Sequence, residues 1–204
     1  MAQLLVDFIT SLDGYASAEG WPGFWGLEGP EYLAWLEEDS DPGATILMGA
    51  TTYRLMSGFA TEAASPGSSE LTDDEASSVD DLTRASKVVF SSTLEGPLSW
   101  PNSKLVNGDA VEAVREMKRD GSASLRTLGS LSLCRSLLEA GLVDRFRVGV
   151  FPVITGVTGR ERIYDGYPDV ALDMVASRTF DGRIQLVEYV PRLLDGPPGE
   201  SDGA

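Results

Sequence analysis

A chain of 204 residues with 42% apolar and 24% charged side chains has enough material for one domain with a full core. Its net charge of −16, with no basic stripe to neutralise phosphates, argues against nucleic acid and anionic membranes as partners, and no apolar run approaches the roughly 20 residues that span a bilayer. The absence of histidine and the single cysteine, Cys134, exclude Ser-His-Asp and Cys-His triads and an intrachain disulfide and leave no usual zinc or iron ligand set, so no metal is expected.

Met1-Ala2-Gln3 followed by Leu4-Leu5-Val6 lacks the basic start and long apolar stretch of a signal peptide, so a soluble, cytoplasmic protein is expected. Leu4 to Ile9 reads as a strand interrupted by Asp7, and Ser11-Leu12-Asp13-Gly14 as the turn that follows. Ser17 to Gly29, with Trp21, Phe24 and Trp25 but no period, predicts a loop lying over something. Pro30 opens a helix through Glu38, with Leu33 and Leu36 on one face. Ala44 to Met48 is a buried strand, Gly49 a close-approach position and Thr51 to Met56 the start of a second helix. Thr61 to Asp81, made of Ser, Gly, Ala and acid, predicts a mobile, solvated insertion.

Lys87 to Phe90 resumes as a strand ending in Ser91-Ser92-Thr93, and Lys104 to Val106 is a shorter one. Asp109 with Glu112 starts a helix whose Val111, Val114 and Met117 recur at helical spacing until Gly121. Ser124 to Leu128 is a strand, Gly129-Ser130 a tight turn, and Leu131 to Ala140 a helix that buries Cys134. Arg145 to Phe151 is a strand and Pro152 to Arg160 a loop. Ala171 to Phe180 and Arg183 to Tyr189 form a hairpin about Asp181-Gly182. Strands alternating with helices, then a hairpin, predict an α/β domain whose mainly parallel sheet has an antiparallel edge; it spans 1–191, with a flexible tail over 192–204.

Three strand ends carry small or hydroxyl residues: Gly49 with Thr51 and Thr52, Ser91 with Ser92 and Thr93, and Gly129 with Ser130 and Ser132. Free amides at a helix N-terminus suit a phosphate or pyrophosphate, although each turn taken singly is also an ordinary chain reversal. Neither a GxGxxG fingerprint nor a P-loop is present.

The succession Ser11-Leu12-Asp13-Gly14, Leu47-Met48-Gly49-Ala50-Thr51-Thr52-Tyr53, Lys87-Val88-Val89-Phe90-Ser91-Ser92-Thr93-Leu94, Gly129-Ser130, Gly141-Leu142-Val143-Asp144 and Pro152-Val153 resembles the dihydrofolate reductase-like family. The likeness is greatest to the reductase domain of bacterial riboflavin-biosynthesis deaminase-reductases and their stand-alone relatives. It implies a three-layer αβα sandwich, a homodimer and an oxidoreductase using NADPH as a rule, with NADH as the alternative. The substrate would be a small heterocycle or carbonyl compound, such as one like 5-amino-6-(5-phosphoribosylamino)uracil. By the same resemblance Gly49, Thr51 and Thr52 would meet the phosphates from one side and Gly129, Ser130, Leu131 and Ser132 the pyrophosphate from the other. Ser91 and Ser92 would border the adenosine ribose, and the backbone at Ile9 and Ala16 would hold the nicotinamide carboxamide.

Asp13 matches a loop aspartate near the substrate, and Tyr32 stands where folate reducers carry their pterin-binding acid, so folate reduction is not expected. Asp13 and Tyr32, or an ordered water, are the candidates for proton donation. Asp-Gly is also a routine turn, and Tyr32 and Tyr53 also suit a core. Arginines that the family commonly carries are replaced here by Ala50 and Ser92, which leaves recognition of a 2′-phosphate without its usual cations. The rival reading is a non-catalytic nucleotide-binding protein that keeps the fold.

Overall fold

The computed structural model describes residues 2–20, 25–39, 41–65, 73–121 and 123–197, with backbone only for 73–78. Among the described residues ten strands and five α-helices follow one another as β1 (Leu4–Ser11), β2 (Tyr15–Ala18), α1 (Pro30–Glu38), β3 (Thr45–Gly49), α2 (Ala50–Ala63), α3 (Asp73–Arg84), β4 (Ser86–Phe90), β5 (Ser103–Val106), α4 (Ala110–Asp120), β6 (Leu125–Thr127), α5 (Leu131–Glu139), β7 (Arg145–Phe151), β8 (Gly159–Arg162), β9 (Val170–Phe180) and β10 (Ile184–Leu193). Eight strands make one sheet in the order β5-β4-β3-β6-β1-β7-β10-β9, parallel as far as β7 and antiparallel across β10 and β9. This is the mainly parallel sheet with a terminal hairpin that the chain's alternation predicts.

Period-two alternation sorts the strand side chains between two layers. Leu4, Val6 and Phe8 of β1 join Leu47, Leu125, Phe146 and Val148 in the core beneath α4 and α5, where Cys134, Leu137 and Val114 close the packing. Burial pushes the Cys134 thiol up to about 12, so this cysteine is an inert core side chain. The opposite face carries two separate clusters. One gathers Tyr32 and Trp35 of α1 with Phe151, Phe180, Ile184 and Leu186, and the other gathers Ile46, Met48 and Val89 with Tyr53 and Trp100. Between them the middle strands β1 and β6 present Asp7 and Arg126, and a cleft opens there.

Three stretches differ from expectation. Thr61 to Asp81 is not wholly an insertion in solvent: α2 runs on to Ala63, and α3 occupies 73–84, while 66–72 lie outside the described residues. Composition misses α3 because its support comes from far along the chain. Leu82 and Ala85 pack against the cluster around Trp100, and the Trp100 indole donates to Thr83. The Lys87 ammonium, only 1% exposed, donates to the carbonyls of Leu82, Thr83 and Ala85 and so satisfies the end of α3.

The loop expected from Pro152 to Arg160 ends in β8, which pairs with β2 in a small second sheet. Tyr15 and Arg162 face each other there, with the guanidinium over the Tyr15 ring. Finally, β10 extends to Leu193, beyond the expected strand end at Tyr189, because Leu193 still pairs with Val170. Of the loop aromatics, Trp21 and Phe24 lie outside the described residues, and Trp25 packs into the Tyr32 cluster.

The candidate active-site cleft

The cleft has a volume of about 2030 Å³ and runs along the C-terminal ends of β1, β3, β4 and β6. Ile9, Ala16, Gly49, Thr51, Thr52, Ser91, Ser92, Gly129, Ser130, Leu131 and Ser132, scattered over five stretches of chain, all line it, as does Tyr32. Parallel strands bring them together, because each strand delivers its following turn to the same sheet edge.

At the centre of this edge two helices start side by side. Gly49 is the N-cap of α2 and Ser130 that of α5, and neither helix has a side-chain cap. Their first amides have no partner within the helix and point into the cleft with the positive ends of both dipoles. A tie holds the two ends in register: the Gly49 N–H donates to Ser130 Oγ at 2.6 Å, and the Ser130 and Thr52 hydroxyls share a bond of 2.8 Å. Gly129 and Ser130 both take left-handed backbone, at φ +55° and +66°. The serine keeps this uncommon conformation because its hydroxyl is bonded in place. Its hydroxyl is thus a brace between helices, while the amides of α2 and α5 face the open space. A diphosphate fits such a double N-terminus, and the two glycines make room for the tie itself, since a Cβ would stand 3.3 Å from Ser130 Oγ at Gly49 and 3.4 Å from Thr52 Oγ1 at Gly129.

Ser91 has a comparable local task. Its hydroxyl accepts from the amides of Thr93 and Leu94 and shapes the turn after β4, with Ser92 exposed beside it. The N-terminus of α4 is closed, since Asp109 accepts from Val111 and Glu112. Glu112 pairs with Arg115 and does not complete a reciprocal box.

Asp13 does not line the cleft. Its carboxylate accepts from Ser11 Oγ at 2.7 Å and from the amides of Thr155 and Gly156 at 3.2 and 2.9 Å, pinning the β7–β8 connection to the end of β1. The Ser11 hydroxyl first, and then those amides, hold its acid dissociation at about 2, so it carries no proton at neutral pH. A carboxylate depressed in the folded state favours folding above its ordinary range, and that contribution is lost as pH falls through about 4 towards 2. Protection of the Thr155 and Gly156 amides, measured against their intrinsic exchange rates, is therefore expected to fall over that window in the wild type. In Asp13→Asn it should be low at every pH; unchanged protection in the variant would contradict the clamp.

Tyr32 is 2% exposed, its ring edge-on to Phe151 and Phe180 and stacked aslant on Trp35. Burial, and then the charges of Asp7 and Glu28, push its hydroxyl above the ordinary tyrosine range, so it keeps its proton. Of the two acid candidates, only Tyr32 both faces the cleft and is protonated.

A charged floor, which neither composition nor periodicity singles out, lies under the cleft. Arg147 donates to Asp7 and Asp39 at 2.6–3.2 Å, and Arg126 reaches Asp7 at 2.6 Å and Asp39 at 3.1 Å. Burial opposes the charge on Arg147, but the two aspartates outweigh it and hold the guanidinium above its ordinary value. Asp7 breaks an apolar strand, and Arg126 and Arg147 break two more. Ionic residues at buried strand positions are the signal that could have revealed the cluster.

The sequence profile described as RibD C-terminal domain matches residues 2–186. The protein YyaP of Bacillus subtilis (strain 168), itself uncharacterised, is 25% identical over 190 residues, covering 92% of this chain and 94% of that protein. Among solved structures, a riboflavin biosynthesis protein assigned in Shewanella sp. PV-4 superposes with a TM-score of 0.67 at 19% identity, over 94% of this chain and 99% of that one. Dihydrofolate reductase from Enterococcus faecalis, complexed with NADP(H), superposes with a TM-score of 0.57 at 13% identity, over 93% and 96% of the two chains.

Proposed function

The chain belongs to the RibD C-terminal domain family, and from that premise we propose that it is a reductase that binds a nicotinamide dinucleotide and delivers hydride to a small heterocyclic or carbonyl substrate. The observation that carries this reading is the pair of open helix N-termini, α2 and α5, tied through Ser130 on one cleft wall. Their amides would hold the pyrophosphate, and Ile9 and Ala16 would border the nicotinamide. When bound, the nicotinamide supplies the hydride. The protein holds donor and acceptor face to face and keeps water away, with Tyr32, Trp35 and Leu186 as an apolar wall. Tyr32 is the preferred proton donor over Asp13.

At the ribose end of the cleft stand Ala50, Ser91, Ser92 and Thr93. Hydroxyls suit a ribose 2′-OH as well as a 2′-phosphate, which supports NADH as a cofactor beside NADPH. The fold's long edge strand β9 supports a homodimer. It exposes Leu172, Met174 and Val175, and antiparallel pairing with a second copy about Val175 and Ala176 sets Asp173 opposite Arg178.

Thermal unfolding with millimolar NADH, NADPH and NADP⁺ tests the reading. A rise of several degrees with at least one of the reduced nucleotides is expected, and no shift with any of them would overturn the cofactor assignment.

A further inference from the structure

The cap of α1 comes from the far end of the chain. Its N-cap is Gly29, which has no side chain to offer, and Pro30 follows with no N–H. The Leu33 amide already donates to the Gly29 carbonyl, so the first turn leaves two helical amides without a partner inside the helix, those of Glu31 and Tyr32. Asp181, in the turn of the β9–β10 hairpin, takes both: its Oδ1 accepts from Glu31 at 3.0 Å and its Oδ2 from Tyr32 at 3.2 Å. The tie is reciprocal, because the Asp181 amide donates to Glu31 Oε2 at 2.6 Å. Where α2 and α5 keep open N-termini on the cleft, that of α1 is closed by a residue 150 positions away.

The residues on either side of this contact are fitted to it. Gly29 lies in extended backbone that suits any residue, yet a Cβ there would stand 2.1 Å from Asp181 Cγ. Glycine is needed here for the approach of the carboxylate and not for the path of the chain. Asp181 and Gly182 take φ +51° and +65°, the left-handed pair that reverses a tight hairpin. Phe180, just before the turn, packs on the same helix, its ring 5.8 Å from that of Tyr32 and 5.3 Å from that of Trp35. The hairpin therefore holds Tyr32 twice, by its backbone amide and by its ring. Asp181 itself does not line the cleft, whereas Tyr32 does. A side chain as long as that of tyrosine carries any tilt of the helix, enlarged, to its hydroxyl.

We infer that Asp181 is a positioning residue of the site: by capping α1 from the hairpin it fixes the pitch at which the Tyr32 side chain meets a nicotinamide bound beside Ile9. The assignment rests on the reductase reading of the cleft, and Asp181 acts on the reaction only through Tyr32.

Fluorine NMR of protein carrying 3-fluorotyrosine at its six tyrosines tests this, the Tyr32 signal being assigned by its loss in Tyr32→Phe. In the wild type a narrow Tyr32 signal is expected, and it moves when saturating NADH or NADPH is added. Asp181→Gly keeps the left-handed turn and removes the cap, whereas Gly29→Ala keeps Asp181 and pushes its carboxylate away. Both variants should broaden and displace the Tyr32 signal of the free protein and lose its movement with nucleotide. Melting should fall by only a few degrees, and the further rise on adding nucleotide, which reports the α2 and α5 termini, should stay as in the wild type. Asp181→Asn, which restores one acceptor and tolerates the same backbone, should bring back a narrow signal that responds to nucleotide. A merely structural Asp181 would lower melting and leave the Tyr32 signal of the folded variants as in the wild type, and that result would overturn the proposal. So would a wild type in which nucleotide raises melting without moving the Tyr32 signal, or an Asp181→Asn variant that behaves like Asp181→Gly. Absence of any melting rise with nucleotide in the wild type marks failure of the reductase reading instead, and the free-protein signal in the two variants still decides whether the hairpin sets Tyr32.

Discussion

Replacing Gly129 by valine is expected to weaken nicotinamide-nucleotide binding by on the order of a hundredfold, equivalent to about 2.7 kcal/mol. Gly129 sits at φ +55°, where a β-branched side chain is strongly disfavoured, and a Cβ there would already stand 3.4 Å from Thr52 Oγ1. The branches of valine have to push against Thr52, which is half of the tie that holds the α2 and α5 N-termini together. Spreading those termini by a few tenths of an ångström misdirects two sets of amides at once. Gly129→Ala carries the backbone strain with one methyl and should show a smaller loss. Titration of each variant with NADH and NADPH, followed by nucleotide fluorescence, measures the effect. Melting should also fall by a few degrees in the valine variant from the strained turn alone. Wild-type affinity in Gly129→Val would mean that the two helix N-termini are not the nucleotide site.

The second large effect concerns Arg147. Arg147→Met is expected to destabilise the fold by about 3–5 kcal/mol, because it leaves Asp7 and Asp39 under the α1 layer with Arg126 as their remaining cation. The arginine also stacks its guanidinium 4.9 Å from the Trp35 ring, a contact methionine replaces only in part. Urea unfolding of the variant beside the wild type gives the difference directly. Arg147→Met combined with Asp39→Asn should recover a good part of the loss, since the second change removes one of the stranded charges. A loss under about 1 kcal/mol for the single variant would show that water reaches the floor and that Arg147 does not organise it.

The two effects fall on different layers of legibility. Glycine with a small hydroxyl residue at a strand-to-helix turn is a local signal of the chain, so Gly129-Ser130 before an apolar helix can be read as a candidate phosphate-binding turn without a structure. The same holds for Gly49 before α2 and for the hairpin about Asp181-Gly182, where turn chemistry and period-two alternation coincide. Arg147, by contrast, reads as an ordinary charged residue in a strand. Its partners, Asp7 and Asp39, are 140 and 108 residues away, and only the parallel pairing of β1 with β7 sets it beside Asp7. Asp13 shows the converse: a carboxylate in a turn is open to either reading from the sequence, and only the structure shows its three hydrogen bonds holding a loop.

The family resemblance supplied the candidate residues for the cleft wall; from the residues themselves came the alternation of strands and helices, the reversal of direction in the last two strands and the absence of histidine chemistry. These are properties of short range, settled by side-chain period, turn dihedral and residue type. Tertiary structure decided which hydroxyls brace and which amides stay open, that α3 forms on the strength of Lys87 and Trp100, and that a balanced cluster of two arginines and two aspartates floors the cleft. The helix brace and the charged floor depend on groups brought within about 3 Å by β-strand register, and register is fixed by the whole core rather than by any one segment.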